Sequence, residues 1–355
     1  MSSVIYINAR FLTQPFSGVQ RVGWELAKRL IYKDSIFKII CPSKKYWLKD
    51  WSYGSFETIG TQKGILWEQI ELLSYLRKKG SFLINPGNTA PLFYDKNIII
   101  NHGLSWKRVP QAFSLKFRLW YDFLIPKVLK KALLVFVVSE FCKNELMEVY
   151  KVSKEKIRVL YPGISEIFKP LNLNKKDFIL YVGNLQPYKN LKNLMKGFKI
   201  LRSWGFNLEL WIVGIKDERV FKKEDYSFVD QKLKSFIKFL GFKEDKELVE
   251  LYNQALCLVL PSLYETFGFP VVEAMACGCP VVISDIPAFR EIAKEVALYI
   301  NPHNPEEIAY AIKEIIDNFQ LRNGLVEKGI ERAKCFSWDN TVNKFLKILK
   351  EYGII

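Results

Sequence analysis

Short apolar runs alternate with longer amphipathic segments along this chain. Several runs are apolar at every position, as in Ile98–Ile100 and Leu256–Leu260, whereas a strand with one face in water alternates apolar and polar residues. Continuous apolar runs are typical of strands in a parallel sheet that helices cover on both faces. The alternation therefore predicts an α/β protein built on doubly wound parallel sheets.

The pattern runs through the chain twice, and each series predicts its own sheet. The strands of the first series are expected at Val4–Asn8, Phe37–Cys41, Phe82–Ile84, Asn97–Asn101, Leu133–Val138 and Ile157–Tyr161. Its helices are expected at Val19–Ile31, Leu66–Lys78, Ser114–Lys131 and Glu140–Tyr150. The strands of the second series are expected at Phe178–Val182, Leu208–Val213, Ile237–Leu240, Cys257–Leu260, Pro280–Ile283 and Ala297–Ile300.

A chain of 355 residues is long for one hydrophobic core, and two domains are the natural expectation. The loop-forming residues Pro162, Gly163 and Pro170 lie between the two series. We therefore predict two Rossmann-like domains, residues 1–168 and 169–337, with the final helix at about 338–355 packing back on the first domain. Ligands of such sheets bind at the carboxyl ends of the strands, so a cleft between the two edges is expected.

The composition excludes several classes of protein. Hydrophobic residues make up 49% and charged residues 25% of the chain, which argues against disorder. No stretch approaches the roughly 20 apolar residues that span a bilayer, and the N-terminal residues do not resemble a signal peptide. A cytoplasmic protein is therefore expected. The six scattered cysteines and two histidines show no zinc-binding spacing, so we expect buried free thiols and no metal site.

The net charge of +16 is concentrated in the first half of the chain. Residues 1–170 contain 27 Lys and Arg against 13 Asp and Glu, whereas residues 171–355 contain 26 against 24. A basic domain favours an anionic partner, such as a membrane surface, a nucleic acid or a phosphorylated substrate. A lysine-rich surface that serves solubility or heat tolerance is the alternative for the total charge, but it does not explain the asymmetry.

The segment Tyr264–Gly278 contains two carboxylates, Glu265 and Glu273, with a Gly-Phe-Pro turn between them. The spacing places Glu265 on a loop after a strand and Glu273 in the first turns of the next helix. The backbone N–H groups of Phe267 and Gly268 are then expected to face a ligand. This arrangement suits a polyhydroxylated, phosphorylated molecule, although two solvated glutamates near a helix N-terminus are the alternative.

Three other segments place chemically useful residues at strand ends. Lys189 lies between a strand that ends at Gly183 and the following helix, where a cation and helix N–H groups suit a diphosphate. His102 follows the run Ile98–Ile100, and Gly18 lies before the first helix, where a glycine permits close backbone approach. A surface lysine, a structural histidine and an ordinary turn are the respective alternatives.

Four segments, 16–21, 101–104, 181–190 and 261–273, together resemble the retaining glycosyltransferases of family 4, also called group 1. The resemblance covers essentially the whole chain and implies the GT-B architecture of two facing Rossmann-like domains. It also implies transfer of a hexose from a nucleoside-diphosphate sugar to a hydroxyl of a glycan or lipid-linked acceptor, with retention. The expected donor is GDP-mannose and the expected process is surface polysaccharide or lipopolysaccharide synthesis.

The resemblance also implies roles for individual residues. Lys189 neutralises the diphosphate, Glu273 accepts hydrogen bonds from the ribose, Glu265 contacts the donor sugar, and His102 contacts the donor sugar and acceptor. The further residues expected to bind the donor are Gly18, Gly183, Asn184, Gly241, Phe242, Phe267 and Gly268. Arg21 and Ser139 are expected on the acceptor side. The leaving phosphate deprotonates the acceptor, and no cofactor or metal is required.

One departure from the family pattern concerns the diphosphate. Family members often carry a second basic residue just after the glycine of this loop or just before the lysine. Asn184 and Tyr188 occupy those places here. We therefore expect either that another Lys or Arg holds the diphosphate with Lys189, or that the Glu265–Glu273 segment carries more of the nucleotide recognition.

Other functions remain open from the sequence. A UDP- or dTDP-sugar donor and a sugar-nucleotide epimerase of the same fold are the nearest alternatives. A basic module that binds nucleic acid is a third, but no nucleic-acid motif is present, and no nucleic-acid partner is expected. A dinucleotide-dependent dehydrogenase is disfavoured because neither half opens with the glycine-triplet fingerprint.

The segment Phe113–Lys127 is rich in aromatic and basic residues. A core helix with its charges in water is slightly favoured. A helix at a membrane interface is the alternative, since it would fit the basic first domain and a lipid-linked acceptor. Peripheral contact with the inner face of the cell membrane is therefore a further hypothesis.

Overall fold

The computed structural model describes residues 4–215 and 230–355. These residues form two compact units. Of the described residues, the first unit comprises 4–104, Leu119–Gly163 and Ser337–Ile355, and the second comprises Ser105–Arg118, 164–215 and 230–336. The sequence placed the segment Ser105–Arg118 with the first domain, so the structure differs there.

The strands of the described residues fall into two sheets. The first sheet contains β1 (Ile5–Asn8), β2 (Phe37–Cys41), β3 (Phe56–Thr58), β4 (Leu83–Asn85), β5 (Asn97–Asn101), β6 (Leu134–Val137) and β7 (Ile157–Val159). The second contains β8 (Phe178–Val182), β9 (Glu209–Val213), β10 (Ile237–Gly241), β11 (Leu258–Leu260), β12 (Val281–Ser284) and β13 (Leu298–Ile300).

Helices follow most of these strands. Those of the first half of the chain are α1 (Gly18–Lys33), α2 (Gly64–Leu66), α3 (Leu73–Lys79), α4 (Ser105–Arg108), α5 (Leu115–Lys131) and α6 (Glu140–Tyr150). Those of the second half are α7 (Leu191–Ser203), α8 (Gln231–Lys234), α9 (Asp245–Gln254), α10 (Phe269–Ala276), α11 (Pro287–Ala293), α12 (Pro305–Asp317), α13 (Phe319–Ala333) and α14 (Trp338–Glu351). Short 3-10 helices form at Ala9–Thr13, Lys44–Tyr46, Pro110–Ala112, Lys154–Lys156 and Pro187–Lys189.

The sheet of the first unit is parallel and has the order β3-β2-β1-β4-β5-β6-β7. The final helix α14 packs on this unit, as predicted. Its Phe345 ring lies 4.7 Å from that of Phe136 on β6, and the Thr341 hydroxyl donates a hydrogen bond to the Tyr161 carbonyl at 2.7 Å. Both contacts fix the helix beside the carboxyl ends of β6 and β7.

The second sheet is also parallel, with the order β10-β9-β8-β11-β12-β13. Its central strands β8, β11 and β12 are buried along their whole length. This is the reason that apolar runs predicted them well, because helices cover both faces of a parallel sheet. The prediction of two doubly wound, Rossmann-like domains is confirmed.

Two local features were not predicted. The first is the three-residue edge strand β3, which the short and partly polar run Phe56–Thr58 does not reveal. The second is a π-helical turn at Trp67–Leu72, which lies between α2 and α3 inside the predicted helix Leu66–Lys78. Such turns occur frequently at functional sites.

Five of the six cysteines are buried free thiols, as predicted from the sequence. Cys335 is the exception because it is exposed. In the described parts of the chain, helices with both the length and the apolar character needed to cross a bilayer are absent.

Candidate functional site

Most of the residues expected to bind a donor lie in the second unit, after or at the ends of three strands of its sheet. Gly183 follows β8, Gly241 ends β10, and Glu265 lies in the loop after β11. Because the strands are parallel, their carboxyl ends lie along one edge of the sheet. That edge is where ligands of open α/β sheets bind.

Lys189 and Glu265 form an ion pair at this edge. Both side chains are largely buried, with exposures of 17% and 11%. The Ser262 hydroxyl donates a second hydrogen bond to the same carboxylate at 3.1 Å. The two loops are also joined by their backbones, since the Leu263 N–H donates to the Tyr188 carbonyl at 2.7 Å. Two residues that are 76 positions apart in the sequence therefore form one charged pair.

Gly268 sets the start of α10 in a left-handed conformation with φ of +85°. A Cβ at this position would lie 2.7 Å from the Phe289 ring. The neighbouring Phe267 ring is buried and packs on Phe269 and Phe336, with centroid distances of 5.1 and 5.5 Å. Phe267 can therefore offer a ligand only its main chain. The N–H groups of Phe267 and Gly268 make no hydrogen bond to another described residue, and they lie at a helix N-terminus that suits an anion.

Glu273 lies on α10 and is only 2% exposed. The Tyr252 hydroxyl of α9 donates a hydrogen bond to its carboxylate at 2.9 Å. Tyr252 is fully buried, so this contact fixes the orientation of the carboxylate. Tyr252 was not predicted as a site residue, and its sequence signal is its place on the buried face of the amphipathic helix α9.

The remaining donor-side residues lie at the ends of β8 and β10. The Gly183 N–H donates to the Val213 carbonyl at 2.9 Å, and the Asn184 carbonyl accepts from the Tyr181 hydroxyl at 3.3 Å. Gly241 has φ of +68°. Phe242, which follows it, is exposed. Gly183 and Asn184 are thus held by the sheet, whereas Phe242 presents its ring to solvent.

His102 follows β5 in the first unit and is held by two hydrogen bonds. Its backbone N–H donates to the Asn88 side-chain oxygen at 2.7 Å, and Nε2 lies 2.7 Å from the Pro86 carbonyl. A carbonyl oxygen only accepts, so Nε2 carries the proton. Burial lowers the pKa of His102 to about 4, and the ring is neutral at pH 7. Its N–H is already used, so Nδ1 is an acceptor, and donation to a sugar hydroxyl does not fit this tautomer.

The other first-unit candidates have different environments. Gly18 is exposed and begins α1. The Arg21 guanidinium lies 5.6 Å from the centre of the Phe16 ring. Ser139 is fully buried, and its hydroxyl accepts a hydrogen bond from the Cys142 N–H at 3.2 Å as the N-cap of α6. The structure therefore gives Ser139 a capping role, which the sequence analysis did not assign to it.

A buried polar cluster beside β1 was missed entirely. Arg10 forms an ion pair with Glu68 at 3.0 Å and donates to the Thr89 hydroxyl at 2.8 Å. Glu68 lies in the π-helical turn and also accepts from the Asn8 side chain at 3.3 Å. With Gln20 and neighbouring residues, this cluster lines a cavity of about 30 Å³. The one sequence signal for this cluster was the polar residue Asn8 at the end of an apolar strand.

No group of three or more His, Cys, Asp or Glu side chains arranged to hold a metal ion occurs within residues 4–215 and 230–355.

The chain matches two family descriptions, Glycosyl transferases group 1 over residues 163–332 and Glycosyltransferase Family 4 over residues 93–166. The first of these ranges contains the second-unit candidates Gly183, Lys189, Gly241, Glu265, Gly268 and Glu273. The second contains His102 and Ser139. Together the two ranges reach from before β5 to α13.

Individual proteins show the same likeness. The chain is 33% identical over 228 residues to O-antigen chain mannosyltransferase RfbU of Salmonella typhimurium, covering 64% of this chain and 63% of the relative. It is 26% identical over 249 residues to O-antigen chain mannosyltransferase B of Escherichia coli, covering 62% and 61%. The chain thus spans about three fifths of the length of these curated relatives.

The fold itself is shared with a solved structure. A sucrose-phosphate synthase from Thermosynechococcus elongatus matches with a TM-score of 0.77 at 20% identity, covering 98% of both chains. At this identity the likeness concerns the fold alone. With the two family matches and the two parallel sheets, it leads to one conclusion: the chain belongs to the group 1 glycosyltransferases of family 4, with the GT-B fold.

Proposed function

We propose that this protein transfers mannose from GDP-mannose to a hydroxyl of a glycan or lipid-linked acceptor, with retention of configuration, in surface polysaccharide synthesis. The names of the two relatives, both O-antigen chain mannosyltransferases, support mannose and this process. The base of the donor comes from the resemblance stated above. UDP- and dTDP-sugars are the competing donors.

The observation that carries the proposal is the set of charged groups at the edge of the second sheet. The ammonium of Lys189 suits a diphosphate. The N–H groups of Phe267 and Gly268, which bond to no other described residue, suit an anion or a sugar oxygen. The carboxylates of Glu265 and Glu273 can each accept hydrogen bonds from two hydroxyls, as a sugar and a ribose require. Cation, N–H donors and carboxylates are the partners that a nucleoside-diphosphate sugar needs.

The proposed reaction is a substitution at the anomeric carbon. The bond from this carbon to the diphosphate oxygen breaks, and a bond to the acceptor oxygen forms on the same face. The acceptor proton passes to the departing diphosphate, so no side chain has to remove it. Lys189 stabilises the charge that develops on the diphosphate, and the carboxylate of Glu265 favours the oxocarbenium-like transition state.

The acceptor is proposed to bind at the carboxyl edge of the first sheet. His102 offers Nδ1 to a hydroxyl proton. Gly18 remains a proposed donor-binding residue, where a glycine permits close backbone approach. Arg21, at the start of α1, adds a positive charge at the same edge. An acceptor that carries a phosphate or diphosphate would be attracted by the excess of basic residues in the first half of the chain.

No cofactor or metal is proposed, because Lys189 and other basic side chains can neutralise the diphosphate, with the N–H groups at the start of α10 as further hydrogen-bond donors. Turnover measured in excess EDTA tests this. Activity equal to that in untreated buffer is expected. Activity that disappears with EDTA and returns with Mg²⁺ or Mn²⁺ would contradict it.

We also propose that the first unit contacts an anionic membrane surface through α5. Buried residues such as Leu124 and Val128 pack one face of this helix on the protein. The other face exposes Leu119 and Phe123, with 62% and 49% of their surface accessible. The Lys127 ammonium lies 3.3 Å from the centre of the Phe123 ring. Exposed apolar side chains beside lysines suit the interface of an anionic bilayer.

Vesicle co-sedimentation tests this contact. The wild type is expected to bind vesicles that contain phosphatidylglycerol and not to bind vesicles of phosphatidylcholine. Leu119→Ser with Phe123→Ser should lose most of the binding, whereas the control Tyr32→Ser, at an exposed aromatic residue of α1, should retain it. Equal binding by both variants would exclude α5 as the contact.

Product analysis tests the reaction itself. The protein is incubated with GDP-mannose and a lipid-linked or glycan acceptor, and the anomeric configuration of the new linkage is determined by NMR. An α-linkage formed from the α-configured donor is expected. A β-linkage would contradict retention, and an isomerised sugar nucleotide formed without acceptor would favour the epimerase.

A further inference from the structure

The loop that follows β8 lacks the second basic residue that the family resemblance leads one to expect. Between Gly183 and Asn190 it carries one cation, Lys189, and that ammonium already pairs with Glu265. A nucleoside diphosphate brings at least two negative charges. A full complement of positive charge therefore has to include groups from another part of the chain.

Tyr188, which stands where a basic residue is common, has a defined role. Its ring is stacked on that of Phe113, with centroids 6.1 Å apart and ring planes 14° apart. Phe113 in turn stacks on Phe117 at 5.3 Å and 16°. The Lys189 ammonium lies 5.5 Å from the centre of the Tyr188 ring. The three rings thus form a column that begins beside Lys189.

The column joins the loop to the segment Ser105–Arg118, which is part of the second unit although it comes from the first half of the chain. Phe113 is almost fully buried, so the contact is a packed one. The segment contains four basic residues, Lys107, Arg108, Lys116 and Arg118, and no Asp or Glu. The column therefore holds a segment with a charge of +4 against the loop.

We infer that Ser105–Arg118 is a cationic strap on the donor's diphosphate, anchored by Phe113 on Tyr188, and that it replaces the missing basic residue of the loop. The inference rests on the proposed function, since it assigns a further part of the same donor site. Phe113 and Tyr188 are positioning residues in this account, because they act through the segment that they hold. Two of its basic residues, Lys116 and Arg118, flank the stacked Phe117 in the sequence.

Calorimetric titration with three probes tests the strap. Guanosine, GMP and GDP are titrated into the wild type, with uridine, UMP and UDP in parallel, because the probes of a series differ only in phosphate number. The variants are Phe113→Ala, Tyr188→Phe and the double substitution Lys116→Gln with Arg118→Gln. The matched control is Lys232→Gln with Lys234→Gln, which removes two charges from exposed positions on α8, at the opposite end of β10.

Phe113→Ala and the double substitution are each expected to lower the affinity for the nucleoside diphosphate by about tenfold. This is the scale of one charge-assisted hydrogen bond. Nucleoside binding should change little, and the loss of diphosphate affinity should shrink at high salt. Tyr188→Phe keeps the ring and should bind like the wild type, as should the control. Tyr188→Arg, added to the double substitution, should restore diphosphate binding by supplying the charge directly.

If Phe113→Ala lowers the affinities for nucleoside and nucleoside diphosphate equally, the ring stack has only a structural role. If the double substitution leaves the diphosphate affinity unchanged, the strap does not bind the diphosphate. Either result overturns the inference while leaving the donor site intact. A wild type that binds neither GDP nor UDP would instead overturn the proposed function, and the strap with it.

Discussion

The ammonium of Lys189 and the carboxylate of Glu265 are paired across two loops of the second sheet. The pair holds the site together before any ligand arrives, and both groups belong to the proposed donor site. A diphosphate that binds Lys189 therefore competes with Glu265 for the same cation. Binding and turnover should respond differently when this carboxylate is neutralised.

Glu265→Gln is expected to raise the affinity for a nucleoside diphosphate by about threefold to tenfold, because the diphosphate no longer competes with a carboxylate for Lys189. Turnover should fall by about a hundredfold, since the carboxylate no longer favours the oxocarbenium-like transition state. Calorimetry and steady-state kinetics measure the two effects. Glu250→Gln, at an exposed position of α9, is the charge-matched control. A variant with wild-type turnover would contradict the role of Glu265.

Tyr252→Phe removes the hydroxyl that donates to Glu273 at 2.9 Å. The buried carboxylate then loses this donor, and the free energy of unfolding should fall by about 1–3 kcal/mol. Nucleoside binding should weaken as well, because the orientation of Glu273 is no longer fixed. Urea unfolding and calorimetry test both effects. Tyr310→Phe, at an exposed tyrosine of α12, is the control, and a Tyr252→Phe protein that matches it in both measurements would refute the positioning role.

Gly268→Ala is expected to reduce stability by about 1–3 kcal/mol, the cost of a left-handed backbone for a residue with a side chain, plus the overlap with Phe289. The matched control is Gly278→Ala, where φ is +67° but the nearest atom to an added Cβ is 3.4 Å away. Both variants carry the backbone strain, and only the first carries the overlap. Guanidinium unfolding should rank Gly268→Ala as the less stable protein, with weaker diphosphate binding. The reverse order would contradict this account of the α10 start.

The stability of the first unit should depend on pH through His102. Burial lowers the pKa of His102 to about 4 from an ordinary value of 6.5. Between these values the unfolded chain binds the proton and the native state does not, so the free energy of unfolding rises with pH. The contribution is complete above pH 6.5 and is lost as the pH falls towards 4.

Urea unfolding at pH 7.5 and pH 5 measures this dependence. His102→Gln should reduce the difference between the two pH values, whereas His303→Gln, at the other histidine, in an exposed loop, should leave it unchanged. A pH dependence that is the same in all three proteins would show that His102 is not the group responsible.

The sequence predicted the fold better than it predicted the environment of the site. The strands Asn97–Asn101 and Phe178–Val182 were placed at their observed ends because buried parallel strands are apolar throughout. The edge strand Phe56–Thr58 was missed because it is short and half-exposed. The strand-end loops carry the candidate residues because a parallel sheet directs its carboxyl ends to one edge.

What the sequence did not reveal depends on contacts between distant residues. The packing of Ser105–Arg118 in the second unit follows from the Phe113–Tyr188 stack, which no local pattern encodes. The proton position on His102 follows from the Pro86 carbonyl, 16 residues away. Ser139 is different, because a serine directly before an amphipathic helix is an ordinary N-cap signal that the sequence analysis left unused.

The central claim is that the edge of the second sheet binds a nucleoside-diphosphate sugar, and a thermal-shift panel tests it most directly. GDP-mannose, UDP-glucose, dTDP-glucose and ADP-glucose are added to the wild type and to Glu273→Ala. A bound donor stabilises the native state by mass action, about 2.7 kcal/mol at a hundred times its Kd. We predict that GDP-mannose raises the Tm of the wild type most and leaves that of Glu273→Ala unchanged. No shift with any of the four donors, or the same shift in Glu273→Ala, would contradict the claim.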